Sequence, residues 1–241
     1  MFALLAARVY ATTVLFRSRS AWLAMAVLTS AAVAIPLGQG NPGQAFPMIA
    51  RELTLGFLMP LLAMLFGTAV IREDIERGTL GYWLTRPIHR RTYLLARFAV
   101  AWAAVFALTA VGLVLDALVL AAPPSQFMSA LAAGVGGSLA YTAFFTALGA
   151  LVKRPFVVGV VAMLFVDAPV SQLPMAARYF TIRGHVENLG DISWIPPQFM
   201  SALLDAPSAI YSVAVLAGVS GAALVLALLK FQQSEFTGAE T

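Results

Sequence analysis

The chain has 241 residues, 61% hydrophobic and only 11% charged, with a formal net charge of +4. Ordinary soluble domains run at roughly 45–50% apolar and about 25% charged, so this composition excludes a soluble enzyme. Cysteine is absent, which removes disulfide frameworks, thiolate zinc sites, haem attachment and cysteine nucleophiles together.

In residues 1–19, Arg8, Thr12 and Arg19 fall on one side of a helix while Phe2, Leu5, Val9 and Phe16 lie largely elsewhere. That pattern predicts a helix lying in the membrane interface, and an extension of the first span fits it equally. Arg8 interrupts the first apolar run, so a cleaved signal peptide is not expected. A spanning helix needs about 20 mostly apolar residues. Six segments meet that need: 21–37, 53–71, 93–121, 127–152, 155–173 and 207–229. Within the second, Pro60 flanked by Gly56 and Gly67 predicts a kinked or loosened helix.

Between the second and third spans lies a polar connection, 72–91, with Glu73, Asp74, Glu76 and the arginines Arg72, Arg77, Arg86, Arg90 and Arg91. If Thr79 caps a short helix ending before Pro87, then Leu80, Trp83 and Leu84 share one face. A Trp and two leucines rimmed by charge suit a docking knob for a protein partner. An interfacial tryptophan with arginines reaching to lipid headgroups accounts for the same residues, and composition does not choose between them.

The run Glu76-Arg77-Gly78-Thr79-Leu80, followed by Pro87-Ile88 and Arg90, resembles the acidic-x-Gly-Thr-Leu … Pro-Ile-x-Arg signature that follows the second span of ABC-2 type permeases, the membrane subunits of ATP-binding-cassette exporters. The resemblance implies an all-α membrane fold of the type V exporter kind, with six spans and an N-terminal interfacial helix. It implies that 72–91 holds a coupling helix seated in a cleft of an ATPase subunit, with Glu76, Arg77, Gly78, Thr79, Leu80, Trp83, Leu84, Pro87 and Arg90 as the coupling residues. The chain departs from the common pattern at Gly81, where many members carry an acid. Two ATPase subunits and a second permease, identical or related, are the implied partners, with ATP and magnesium bound on the ATPases and no cofactor in this chain.

Ala122-Pro123-Pro124-Ser125 separates the third and fourth spans, because tandem prolines cannot continue a helix. Asp116 and Asp167 are the only acids inside predicted spans, both near span ends where a carboxylate reaches water. A cation- or proton-coupled pair is the alternative, and it would make the chain a secondary transporter. The external segment 174–206 carries Tyr179, Phe180 and Trp194 as interfacial anchors. Relatives by resemblance place short helices here that cap the outer end of the pathway, so these three, with Asp116 and Asp167, are candidates for the pathway or its outer gate. His185 is expected as a solvated loop residue.

In the last span Gly218-Val219-Ser220-Gly221 matches the nucleophile motif of rhomboid proteases, but no histidine follows Ser220. Gly218, Gly221 and Ala222 are therefore expected as helix-packing positions. Gly134-Val135-Gly136-Gly137 lacks the third glycine of a dinucleotide fingerprint and reads as another packing site. The only lysines, Lys153 and Lys230, sit in no P-loop, so this chain holds no ATPase.

Twelve of the fifteen Lys and Arg fall on the side of the termini and three, Arg51, Arg178 and Arg183, on the other. The positive-inside rule then puts both termini of a multi-pass protein in the cytoplasm, and with the resemblance a prokaryotic cell membrane is the expected location. These cations flank spans, so no nucleic-acid role is expected and lipids are the surrounding partner. No repeat or low-complexity linker divides the chain, so one domain over 1–241 is expected; the resemblance implies a permease that moves its substrate outward by alternating access, and the apolar spans favour a hydrophobic or amphipathic one.

Overall fold

A computed structural model describes residues 42–76, 78, 89–167, 170, 180–191 and 208–233. Every regular element among them is helical. The interfacial helix expected over 1–19 and the first span at 21–37 lie outside these residues.

The second span is one continuous helical rod in three windings: α1 (Pro42–Ile49), a π-helical stretch (Ala50–Leu58) and α2 (Met59–Glu76). The wide turns end just before Pro60, whose ring cannot seat against the carbonyl four residues back in a regular α-turn. The Met59 N–H reaches back to the Thr54 carbonyl instead. α3 (Arg90–Val119) follows, and Ala121 at φ 49° with Pro123 turns the chain into α4 (Pro124–Leu151), which opens on a proline at its first turn. The expected break at the tandem prolines is thus where the helix ends. α5 (Pro155–Val161) runs into a second π-helical stretch, Ala162–Asp167. α6 (Ile182–Leu189) is short, and the Thr181 side chain caps it by accepting from the Gly184 N–H at 3.0 Å. α7 (Ala209–Gln233) is the last span, with Lys230 in its final turn, where the helix dipole favours a cation.

Four of these helices are long and apolar enough to cross a membrane: Ala45–Ile75, Arg90–Val119, Pro124–Leu151 and Ala209–Gln233. α4 stands at the centre, packed against α2, α3, α6 and α7. In hydrocarbon, helices gain little from burying apolar surface against one another, so close approach and polar bonds must hold them. α2 and α4 show the close approach. A Cβ on Gly67 would lie 3.0 Å from the Thr142 carbonyl, and one on Gly149 would lie 3.0 Å from the Thr68 carbonyl. Gly67 therefore brings two helices together, where the sequence suggested it would loosen one. Gly137 serves the expected packing role, since a Cβ there would meet Met59 at 2.6 Å and Val186 at 2.7 Å. Gly218 and Gly221 do not: both are exposed, with nothing of this chain within 4 Å of such a Cβ. Phe46, Leu55, Leu58, Leu62, Phe145 and Phe231 are among the large side chains buried in the core.

Candidate functional site

Polar side chains collect at the two ends of the bundle. The end that carries residues 76–90 is called the foot and the opposite end the head.

At the foot, α2 ends at Glu76 and Gly78 turns the chain, with φ 65° and its N–H bonded to the Ile75 carbonyl at 3.1 Å. That left-handed conformation suits glycine. α3 starts at Arg90, so the two helices are the flanks of the polar connection. Buried groups join them: Arg97 forms an ion pair with Asp74 and donates to the Tyr93 hydroxyl, and Tyr93 donates to Asp74. The Arg97 guanidinium also lies over the Tyr93 ring, 5.4 Å from its centroid. Arg72 donates to the Val152 carbonyl at the end of α4. Arg90 reaches the last turn of α7, donating to the carbonyls of Phe231 at 3.4 Å and Gln232 at 3.2 Å. Tyr93 and Phe231 stack with centroids 6.1 Å apart.

At the head, Arg183 on α6 donates to Glu187 one turn on, at 2.9 Å, and to Glu52 in the second span, at 2.5 Å. Arg51 pairs with Glu52 as well. Burial opposes the charge on Arg183, but its bonds to Glu187 and Glu52 outweigh that and raise its pKa above the ordinary value. Gly56 makes room for this arginine: a Cβ there would sit 3.1 Å from the guanidinium carbon. Tyr141 donates to Asp167, which also accepts the Arg183 backbone N–H at 3.4 Å. Thr54 donates to Asp116 at 2.5 Å, tying the second span to the end of α3. Asn188 donates to the Ser212 hydroxyl at 2.8 Å, and His185 Nδ1 lies 3.2 Å from the same oxygen.

Two expectations need correction here. Asp116 does not reach water at a helix end; it is 3% exposed and takes its bond from Thr54. His185 is no solvated loop residue; it is 2% exposed, because α6 folds back against α4 and α7. Asp116 and Asp167 take different partners, Thr54 and Tyr141. Phe180 is 90% exposed. Of the other expected residues, Glu76, Gly78 and Arg90 stand at the foot, while Arg77, Thr79, Leu80, Trp83, Leu84, Pro87, Tyr179 and Trp194 lie outside the described residues. Ser220 donates to the Leu216 carbonyl of its own helix at 2.6 Å.

Tyr93, Phe231 and Glu52 were not singled out from sequence, and Asp74 figured there only as an acid of the connection, with no partner assigned. The available signal was Arg97, a charge two turns inside a span with Tyr93 on the same helix face, which marks a buried partner somewhere on a neighbouring helix. Among the described residues no group of three or more His, Cys, Asp or Glu stands placed to hold a metal ion.

Long apolar helices whose charges gather toward the two ends of the bundle define a multi-pass integral membrane protein. A family model described as ABC-2 family transporter protein matches residues 23–229, and the chain belongs to that family. It is accordingly a membrane permease, a transport subunit that catalyses no reaction itself. No curated protein matches the chain.

Proposed function

We propose that this permease is the membrane half of an ATP-driven exporter, with six spans and cytoplasmic termini, and that the connection 76–90 is where its ATPase docks. The carrying observation is the buried tie of Asp74 to Arg97 and Tyr93, which joins the two flanks of that connection. A docking segment hung between tied helices moves with them as one body, so closure of an ATPase pair beneath it tilts α2 and α3 together. Glu76, Arg77, Gly78, Thr79, Leu80, Trp83, Leu84, Pro87 and Arg90 are the coupling residues of this reading. The ATPase pair holds the ATP and magnesium, and a second permease completes the pathway. The outer gate is formed at the head, where α6 is clamped to the second span, with Tyr179, Phe180 and Trp194 nearby in sequence. Cargo is hydrophobic or amphipathic, in keeping with the apolar spans.

The test is co-purification from native membranes in mild detergent, comparing the natural chain with Trp83→Glu. A soluble P-loop ATPase accompanies the natural chain and is lost with the variant. Absence of any ATPase from the natural chain sinks the reading.

A further inference from the structure

We infer that α7 is a connecting rod that carries displacement from the docking connection at the foot to helix α6 at the head; the inference rests on the exporter reading above. Both ends of α7 are gripped. At the foot, the Arg90 guanidinium donates to the carbonyls of Phe231 and Gln232 in the last described turn of α7. The charge also lies at the negative end of the α7 dipole. Arg90 and Tyr93 both belong to the first turn of α3, and Tyr93 bonds Asp74 of α2 while its ring stacks on Phe231. One tyrosine thus holds the flanks of the docking connection and the end of α7 at once. At the head, buried Ser212 in the first turn of α7 accepts from Asn188 and meets His185, both on α6. The His185 ring also lies 5.9 Å from that of Tyr211. From Ser212 to Phe231 the rod is roughly 28 Å long at 1.5 Å per residue.

The second span also touches both clusters, through Asp74 and through Glu52 with Arg183. It is the poorer rod for two reasons. It is π-helical over Ala50–Leu58, a stretch that ends beside Pro60, whereas α7 is α-helical throughout and contains no proline. The most apolar window of the second span is also 78% buried, against 28% for α7. α7 is packed along one side, chiefly on α4, and a helix packed on one side breaks fewer contacts on shifting along its axis than one enclosed in the core. Phe231 and Ser212 are positioning residues in this account: neither meets cargo, and each fixes one end of the rod.

The experiment uses the whole transporter with its ATPase in lipid nanodiscs. The natural chain is free of cysteine, so Phe180→Cys, at an exposed site beside the α6 cap, gives one thiol on the permease. ATPase association and hydrolysis are recorded first; if they are absent, the exporter reading fails and the rod falls with it. The rate at which a maleimide labels that thiol is then measured with and without ATP. In the parent, the two rates differ. With Phe231→Ala or Ser212→Val added, the ratio of rates falls to one. Ser212→Val leaves ATPase association and basal hydrolysis as in the parent, since it lies at the far end of the bundle. Phe231→Tyr keeps the stack and restores the ratio, which a merely misfolded foot would not allow. A parent ratio of one overturns the inference, and so does an unchanged ratio in the Ala and Val variants on an active complex.

Discussion

Arg97 faces Asp74 across the foot of the bundle, and the same carboxylate takes the Tyr93 hydroxyl hydrogen. Both side chains are nearly covered, at 5% and 10% exposure. A buried charge that loses its partner costs far more than the pair contributes when intact.

Asp74→Ala is therefore expected to destabilise the permease by about 3–5 kcal/mol, because it strands the Arg97 guanidinium in the bundle. Replacing both, as Asp74→Leu with Arg97→Met, removes the stranded charge and recovers most of that loss. Thermal unfolding in detergent, followed by the monodisperse fraction after heating, reads both. Equal stability of Asp74→Ala and the natural chain would refute the tie.

Arg183→Ala frees α6 from the second span and leaves Glu187 buried without its guanidinium. Backbone amides of 182–189 should then exchange with deuterium at least about tenfold faster, the equivalent of about 1.4 kcal/mol of local opening. Gly56→Val should act in the same direction, because its side chain would collide with the Arg51 carbonyl and crowd the Arg183 guanidinium at 3.1 Å. Unchanged exchange in both variants rules out the clamp.

Glycine substitutions should separate the inner from the outer face of the bundle. Gly67→Val pushes α2 off the α4 backbone and is expected to cost about 1–3 kcal/mol, the usual range for overpacking. Gly218→Ala meets nothing of this chain and should be neutral, or stabilising by up to about 1 kcal/mol through helix propensity. Apparent melting temperatures of the two variants in one detergent give the comparison, and a reversed order would contradict the packing described.

Asp116→Asn keeps an oxygen that accepts from Thr54, so it exchanges one bonded pair for another at a cost of about 1 kcal/mol. ATP-driven uptake of hydrophobic dyes into inverted membrane vesicles should survive this change and also survive a proton uncoupler. Loss of uptake under both treatments would instead assign proton coupling to Asp116.

Much of this arrangement could be read before the fold was known, and the failures share a cause. Pro123 and Pro124 act on their own neighbours through missing N–H groups, so the break between α3 and α4 was visible locally. The pairing of Asp74 with Arg97 needs the relative rotation of two helices, which hydropathy does not encode when both are apolar all round. His185 was misjudged because polar neighbours in sequence suggested water, while the fold lays that face of α6 on α4 and α7. Asp116 failed in the same way: its position along the span was judged correctly, and its partner Thr54 lies 62 residues away. The Gly-Thr-Leu signature identified the family without any help from geometry, because it is a local pattern.

The distance between the two polar clusters has its own consequence. Ser212 and Phe231 mark head and foot about as far apart as a bilayer core of roughly 30 Å is thick. Each cluster is held by buried bonds, so neither can drift far from its own end of the bundle. A bilayer a few ångströms thinner or thicker would load both clusters at once, and the permease would meet that load by tilting or by thinning the lipid around it. Acyl-chain length, set by the membrane in which the protein resides, thus acts on the head and foot together, as tension acts on both ends of a strut.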